Sequence, residues 1–185
     1  MSTPRPPQPA KLVVGLLLKD KTLLPVLAAE LEDRFGPVAL VSPWMPFGYT
    51  AYYATEMGAP LLRRVLVFRD MMAQDGLARI KRATDAIEQT HMVEGKRCVN
   101  IDPGYLLLER FVLATGKNYS HRIYIGEGIY ADLTLVFERG AFRPLPWTYP
   151  DYADRSLRGF LQRVRDQYAG DLKRESPGER GRENG

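Results

Sequence analysis

Residues 11–19 carry an apolar run that does not alternate, which predicts a strand buried on both faces. From residue 22 to 35 the spacing changes to three and four. Leu24, Leu27, Ala28, Leu31 and Phe35 then share one stripe of a helix, with Pro25 in its first turn and Gly36-Pro37 at its end. Residues 38–41 predict a short strand. Residues 42–48, with two prolines, predict a loop that exposes Trp44, and residues 61–68 a further strand. A second helix, capped by Asp75 and running to about His91, follows from the stripe Leu77, Ile80, Thr84, Ile87 and His91. Lys81, Asp85 and Glu88 fall on another face of that helix at four- and three-residue spacing, and read as a solvated ladder of ion pairs. Residues 97–101 predict a strand.

Asp102-Pro103 has the form of a helix start, an Asp cap followed by Pro at the first helical position, and predicts a helix from there to Thr115, stopping at Gly116. The run 105–113 is also compatible with a strand. Residues 121–125 and 129–137 alternate on either side of Gly126-Glu127-Gly128, the pattern of a hairpin with a three-residue loop and Gly128 in the left-handed position. That loop sets a register in which Tyr124 faces Tyr130 and Arg122 faces Asp132, with Thr134 continuing the same polar face. The opposite face, Ile123, Ile125, Ile129, Ala131, Leu133 and Leu135, is expected to be core. A strand after Gly140 and a last helix over 156–169, capped by Asp154, complete the pattern. Leu157, Phe160, Leu161, Val164 and Tyr168 form the inner stripe of that helix. The order predicts a single α+β domain with a ferredoxin-like βαββαβ core, extended by the C-terminal hairpin and closed by the last helix. The domain is expected to span 11–172, between a disordered Pro-rich arm at 1–10 and a disordered charged tail at 173–185.

Composition adds bounds. The 185 residues are enough for one domain with a full core, and the 45% apolar and 26% charged fractions are ordinary for a globular chain. No stretch approaches the roughly 20 apolar residues of a membrane span, so a cytoplasmic location is expected. One cysteine, Cys98, excludes an intrachain disulfide and reads as a small core residue. The two histidines, His91 and His121, lack metal-ligand spacing, and no metal site is expected. The net charge of +4 is mildly basic and compatible with an anionic partner such as a nucleotide, a phosphate or RNA.

Candidate chemistry gathers between residues 96 and 152. Lys117, His121 and Arg122 form a cation cluster next to the hairpin, with Lys117 suited to bind a phosphate as a point charge and Arg122 as a fork. Alternation turns His121 toward the core, where it reads as a hydrogen-bonded, partly buried histidine. Gly116-Lys117-Asn118 is not a P-loop: residue 111 is Phe, residue 118 is Asn, and a strand follows. Arg122, Tyr124, Tyr130, Asp132 and Thr134 read either as a binding surface or as a cross-strand ion pair beside an aromatic pair. Trp147, Tyr149 and Tyr152 stand in a segment stiffened by Pro144, Pro146 and Pro150, able to stack a base or to pack over a core edge. Asp102 reads as a cap or as a site carboxylate. Glu56, after Tyr52 and Tyr53, is a candidate acid or base.

The segments 99–105, 113–124, 128–135 and 146–152, with Tyr52-Tyr53, Glu56-Met57-Gly58 and Ile80-Lys81, resemble the bacterial domain-of-unknown-function family 4416 over residues 11–169. The family pattern carries Glu at the hairpin acid. Here it is Asp132, which keeps the carboxylate with a shorter reach. The resemblance implies a bacterial protein and brings with it no activity, cofactor or ligand. The residues themselves point first to binding of a small anionic ligand, a nucleotide or phosphorylated metabolite, on the 96–152 surface, with no reaction assigned. RNA on an open sheet carrying Tyr124 and Tyr130, or a ligand-free partner-binding domain, are the other readings.

Overall fold

The structure, a computed structural model, describes residues 3–50 and 52–175. Its strands are β1 (Ala10–Leu18), β2 (Val38–Val41), β3 (Met45–Phe47), β4 (Leu61–Met72), β5 (Met92–Val93), β6 (Lys96–Arg97), β7 (Val99–Leu106), β8 (Arg110–Thr115), β9 (Arg122–Gly126), β10 (Ile129–Glu138) and β11 (Ala141–Pro144). Its helices are α1 (Leu24–Phe35), α2 (Tyr52–Met57), α3 (Leu77–Thr90), α4 (Pro150–Ala153) and α5 (Arg155–Glu175). The main sheet runs β11-β10-β8-β7-β1-β4-β2, antiparallel throughout, with β3 added to β4 and β9 to β10. It is larger than the four-stranded core expected from the sequence.

β1 is central, and all nine of its residues are buried, as its unbroken apolar run predicts. On one face Leu12, Val14, Leu16 and Leu18 pack under Leu27 and Leu31 of α1 and Ile87 of α3. On the other, Val13 joins Val65, Val67, Leu106 and Phe111 beneath the α5 stripe Leu157, Phe160, Leu161, Val164 and Tyr168. The expected stripes of α1 and α5 are thus the ones buried. Ser156 N–H donates to Asp154 at 2.7 Å, the expected cap of the last helix.

Residues 102–115 are not helical. Asp102, Pro103 and Gly104 continue β7, a turn follows at 107–109, and the chain returns as β8. Pairing of β7 with β1 along its whole length outweighs the local capping signal. Gly104 fits this close approach, since a Cβ there would lie 2.4 Å from the Val112 carbonyl oxygen. Asp75 does not cap α3: it sits inside a 3-10 turn (Gln74–Gly76), and Gly76 takes the cap position without a side-chain bond. The 42–48 loop contains β3, and Trp44 is half-buried, with the Arg64 guanidinium 4.9 Å from its ring centre. Cys98 is half-buried.

The hairpin pairs Arg122 with Asp132 and Tyr124 with Tyr130, as expected, but Ile129 pairs with Gly126, so the turn has two residues instead of three, and a bulge before Tyr130 restores the register. Beyond Leu133 one extra residue, Thr134, bulges out of β10, so Leu135 crosses to the α5 core instead of staying with Leu133. Ile123, expected in the core, is 69% exposed, because β9 lies at the edge of the sheet past the end of the core.

Residues 3–9 have no regular structure, but the Gln8 and Pro9 carbonyls accept from Gln74 Nε2 and Tyr168 Oη. The expected tail begins later than residue 173, since α5 continues to Glu175; residues 1, 2 and 176–185 lie outside the described residues. Buried Lys11 closes the seam between the chain's two ends, donating to the Arg69 carbonyl at 2.8 Å and pairing with Asp171 at 2.7 Å. Removing one member of such a pair strands the other in an apolar setting. We therefore expect Asp171→Ala to lower unfolding free energy by on the order of 2 kcal/mol in urea titration, and deletion of residues 1–7 to leave it unchanged.

Candidate functional site

A cleft of about 610 Å³ opens where the sheet splits. β7 and β8 pair only over Gly104–Leu113, Tyr105–Val112 and Leu106–Phe111. Successive N–H groups of a strand point to alternate edges, so Ile101, Pro103 and Tyr105 address the β8 side. Pro103 has no N–H to give, and the ladder ends there. The freed backbone of Ile101 is satisfied by α3 instead: its N–H donates to Glu88 at 2.6 Å, and its carbonyl accepts from Lys81 at 3.0 Å. Lys81, Asp85 and Glu88 are therefore not a solvated ladder. Glu88 is buried, Lys81 bonds Asp85 at 2.8 Å, and all three line the cleft.

The inner end is built around Arg63. β4 places Arg63 and Arg64 on opposite faces of an apolar strand. Arg64 reaches the Trp44 ring near the surface, while Arg63 is 4% exposed. Its guanidinium donates to Asp102 at 2.9 Å and Asp151 at 2.5 Å, and lies over the rings of Phe47 and Tyr152. Gly15 makes this possible, since a Cβ there would lie 2.7 Å from Tyr152 Oη and 2.9 Å from the Arg63 guanidinium. Asn100 donates to the other oxygen of Asp102 at 2.9 Å.

Burial opposes the charge of Arg63, but Tyr152, Asp151 and Asp102 overcome it and hold the guanidinium more firmly protonated than a free arginine. Burial likewise opposes ionisation of Asp102, yet Arg63 and Lys81 bring its pKa below the ordinary carboxylate value. Asp151 and Glu88 go the other way. Burial raises both, against the opposing pull of Arg63 on Asp151 and of Lys81 on Glu88. The site thus holds one firmly ionised carboxylate beside two that take up protons more readily, a division that suits proton transfer as well as binding.

Aromatic side chains form the walls. Phe47 of β3, Tyr49 of the segment after it, and Tyr52 and Tyr53 of α2 line the cleft together with Tyr119, Tyr149 and Tyr152. Lys117 reaches across the mouth, its ammonium 4.7 Å from the Tyr52 ring centre. An adjoining pocket of about 630 Å³ lies behind α2 and is lined by Glu56. Arg97 donates to both oxygens of Glu56, at 2.8 and 2.6 Å, and fixes α2 between the two spaces.

Of the residues predicted from the sequence, Lys117, Asp132, Tyr149 and Asp102 line the cleft, and Glu56 lines the pocket beside it. The Arg122–Asp132 face is not a surface. Arg122, Asp132 and Thr134 are buried under the 145–149 segment. Arg122 is a brace, each of its three nitrogens donating once: to Asp132 at 2.8 Å, the Lys117 carbonyl at 2.8 Å and the Tyr149 hydroxyl at 2.9 Å. Trp147 donates to the Leu133 carbonyl, and His121 lies between Trp147 and Tyr119, with ring centres 5.0 and 6.0 Å away and its Nε2 3.5 Å from Asp132. Tyr124 and Tyr130 stack edge to face outside the cleft, and Tyr124 is 59% exposed. Helices cover both faces of the central strands, while the Tyr124–Tyr130 pair expected to meet RNA stands on β9 and β10 toward the end of the sheet.

Sequence reasoning missed Arg63, Asn100, Lys81, Glu88, Arg97 and Asp151. The available signal was Arg63-Arg64 within an apolar strand, because alternation sends one of two adjacent arginines inward. Among the described residues no group of three or more His, Cys, Asp or Glu side chains is placed to hold a metal ion, and no helix is long and apolar enough to cross a membrane.

No curated protein and no solved structure matches the chain. The family model described as domain of unknown function, DUF4416, matches residues 8–168, which takes in every strand and almost all of the core described above. The chain belongs to the DUF4416 family.

Proposed function

We propose that the protein binds a small ligand combining a ring with an anionic group, a nucleotide or phosphorylated metabolite, in the cleft at the split of the sheet. The observation that carries this reading is the cleft itself: about 610 Å³, within the range of small-molecule sites, with aromatic walls and a few converging polar groups. Tyr52 and Tyr149 are exposed enough to stack a ring. Of the cations that line the cleft, Arg63, Lys81 and Arg97 are each neutralised by carboxylates, whereas Lys117 meets none among the described residues. The anionic group is therefore assigned to Lys117 at the mouth.

The same reading takes β7-β1-β4-β2 with α1 and α3 as a ferredoxin-like unit, supported by the chain order β1-α1-β2-β4-α3-β7 and the antiparallel neighbours. It also places the protein in the bacterial cytoplasm. The resemblance of its motifs noted from the sequence, which implies a bacterial protein, supports this.

A thermal-shift screen with nucleotides and sugar phosphates tests the binding. A ligand at 100 times its Kd adds about 2.7 kcal/mol, readily seen as a higher Tm. Lys117→Ala is expected to leave the ligand-free Tm unchanged and to weaken binding about tenfold or more, the loss of one charge-assisted hydrogen bond. No shift with any phosphorylated compound, or full binding by Lys117→Ala, removes this reading. Arg122→Lys is expected to lower stability by on the order of 2 kcal/mol, because lysine cannot reach three partners in the plane of a guanidinium. An unchanged melting curve would show that the brace is dispensable.

A further inference from the structure

The inner end of the cleft has a chemistry opposite to that of its mouth. Three carboxylates, Asp102, Asp151 and Glu88, stand around Arg63 and the Ile101 backbone, and the cations that meet them there, Arg63, Lys81 and Arg97, are committed to carboxylates. A phosphate pushed to this depth would meet carboxylates. A hydroxyl would meet acceptors. Asp102 is the most open of the inner three, its side chain 24% exposed against 8% for both Asp151 and Glu88. Each of its oxygens already accepts one bond, from Arg63 and from Asn100, and an ionised carboxylate oxygen has a second lone pair to offer. The bonds to Arg63 and Asn100 also fix the plane of the carboxylate, so no rotamer freedom is lost when a ligand arrives.

A second observation comes from the same place. Tyr152, 3% exposed and part of the cleft wall, has a hydroxyl that is fully buried and finds no hydrogen-bond partner among the described residues, and the same holds for Arg63 Nε. Buried polar groups are satisfied in the great majority of folds, and groups left without a partner at the end of a cleft mark a place where a polar ligand belongs. The aromatic walls suit the C–H faces of a sugar as well as a base.

Resting on the binding reading above, we propose that the inner end of this cleft is a hydroxyl-binding subsite. Asp102, held by Arg63 and Asn100, accepts hydrogen bonds from the sugar or polyol part of a phosphate ester. The ligand goes in hydroxyls first and stops with its phosphate against Lys117. Asp102 is held ionised through the neutral pH range by Arg63 and Lys81 against the effect of burial, so the acceptor is present at working pH.

Calorimetric titration of the intact protein with matched pairs of esters tests this: ribose 5-phosphate against pentyl phosphate, and glycerol 3-phosphate against propyl phosphate. The hydroxylated member of at least one pair is expected to bind ten times or more tightly than its alkyl partner, because a site built around hydroxyls leaves its polar groups unpaired with the analogue. Asp102→Asn is expected to reduce that ratio to near one. Lys117→Ala is expected to weaken both members alike and preserve it. Equal binding of hydroxylated and alkyl esters by the unaltered protein overturns the subsite but leaves the binding reading standing, and so does an unchanged ratio in Asp102→Asn. If none of the four esters binds, the subsite fails, while the binding reading stands or falls separately on the nucleotide and sugar-phosphate screen above. The comparison in the unaltered protein decides the matter even if Asp102→Asn does not fold.

Discussion

A guanidinium almost without access to water imposes its requirements on everything near it. Arg63 sits on a central strand, and its charge is tolerable there only because two carboxylates reach it from elsewhere in the chain, Asp102 from β7 and Asp151 from α4. That demand ties three elements distant in sequence to one point. It also explains why the 145–152 segment folds back over the sheet instead of running along its edge. Phe47 and Tyr152 close over the guanidinium faces, so the same charge organises part of the aromatic wall.

The split between β7 and β8 supplies the space. A continuous ladder past Gly104 would leave a flat sheet with no room for a ligand. Pro103 ends the pairing, and α3 takes over by lending Glu88 and Lys81 to the backbone of Ile101. A helix that elsewhere packs through Ile87 thereby gains a polar edge that faces the cleft. Ordinary backbone accounting at the break, where a lost partner must be replaced, brings charged side chains to the inner end without any separate device.

How much of this could be read in advance depended on the range of the interaction. β1, the stripes of α1 and α5 and the hairpin register rest on periodicity and on one turn, and each was legible from residues close in sequence. Asp102-Pro103 misled because a cap-and-proline start is a local signal, whereas pairing with β1 is a contact across about ninety residues that outweighs it. Lys81 and Glu88 looked solvated because nothing near them in sequence announces the broken ladder they mend. Lys117, Asp132, Tyr149 and Asp102 were identifiable as polar or aromatic residues in the right stretch. That Arg122 is a brace and that Lys117 meets no carboxylate among the described residues became visible only with the surrounding side chains in place.

Gly15 carries a consequence for how this sequence can vary. The missing side chain is not a matter of backbone freedom, since β1 is regular there; it is a volume already taken by Tyr152 and Arg63. Any larger residue at 15 has to be matched by a smaller or shorter one at 63 or 152, and loss of the arginine leaves Asp102 and buried Asp151 without the cation they share. Positions 15, 63, 102, 151 and 152 therefore behave as one heritable unit, expected to change together in relatives or to stay fixed together, although they are scattered from the first strand to the fourth helix.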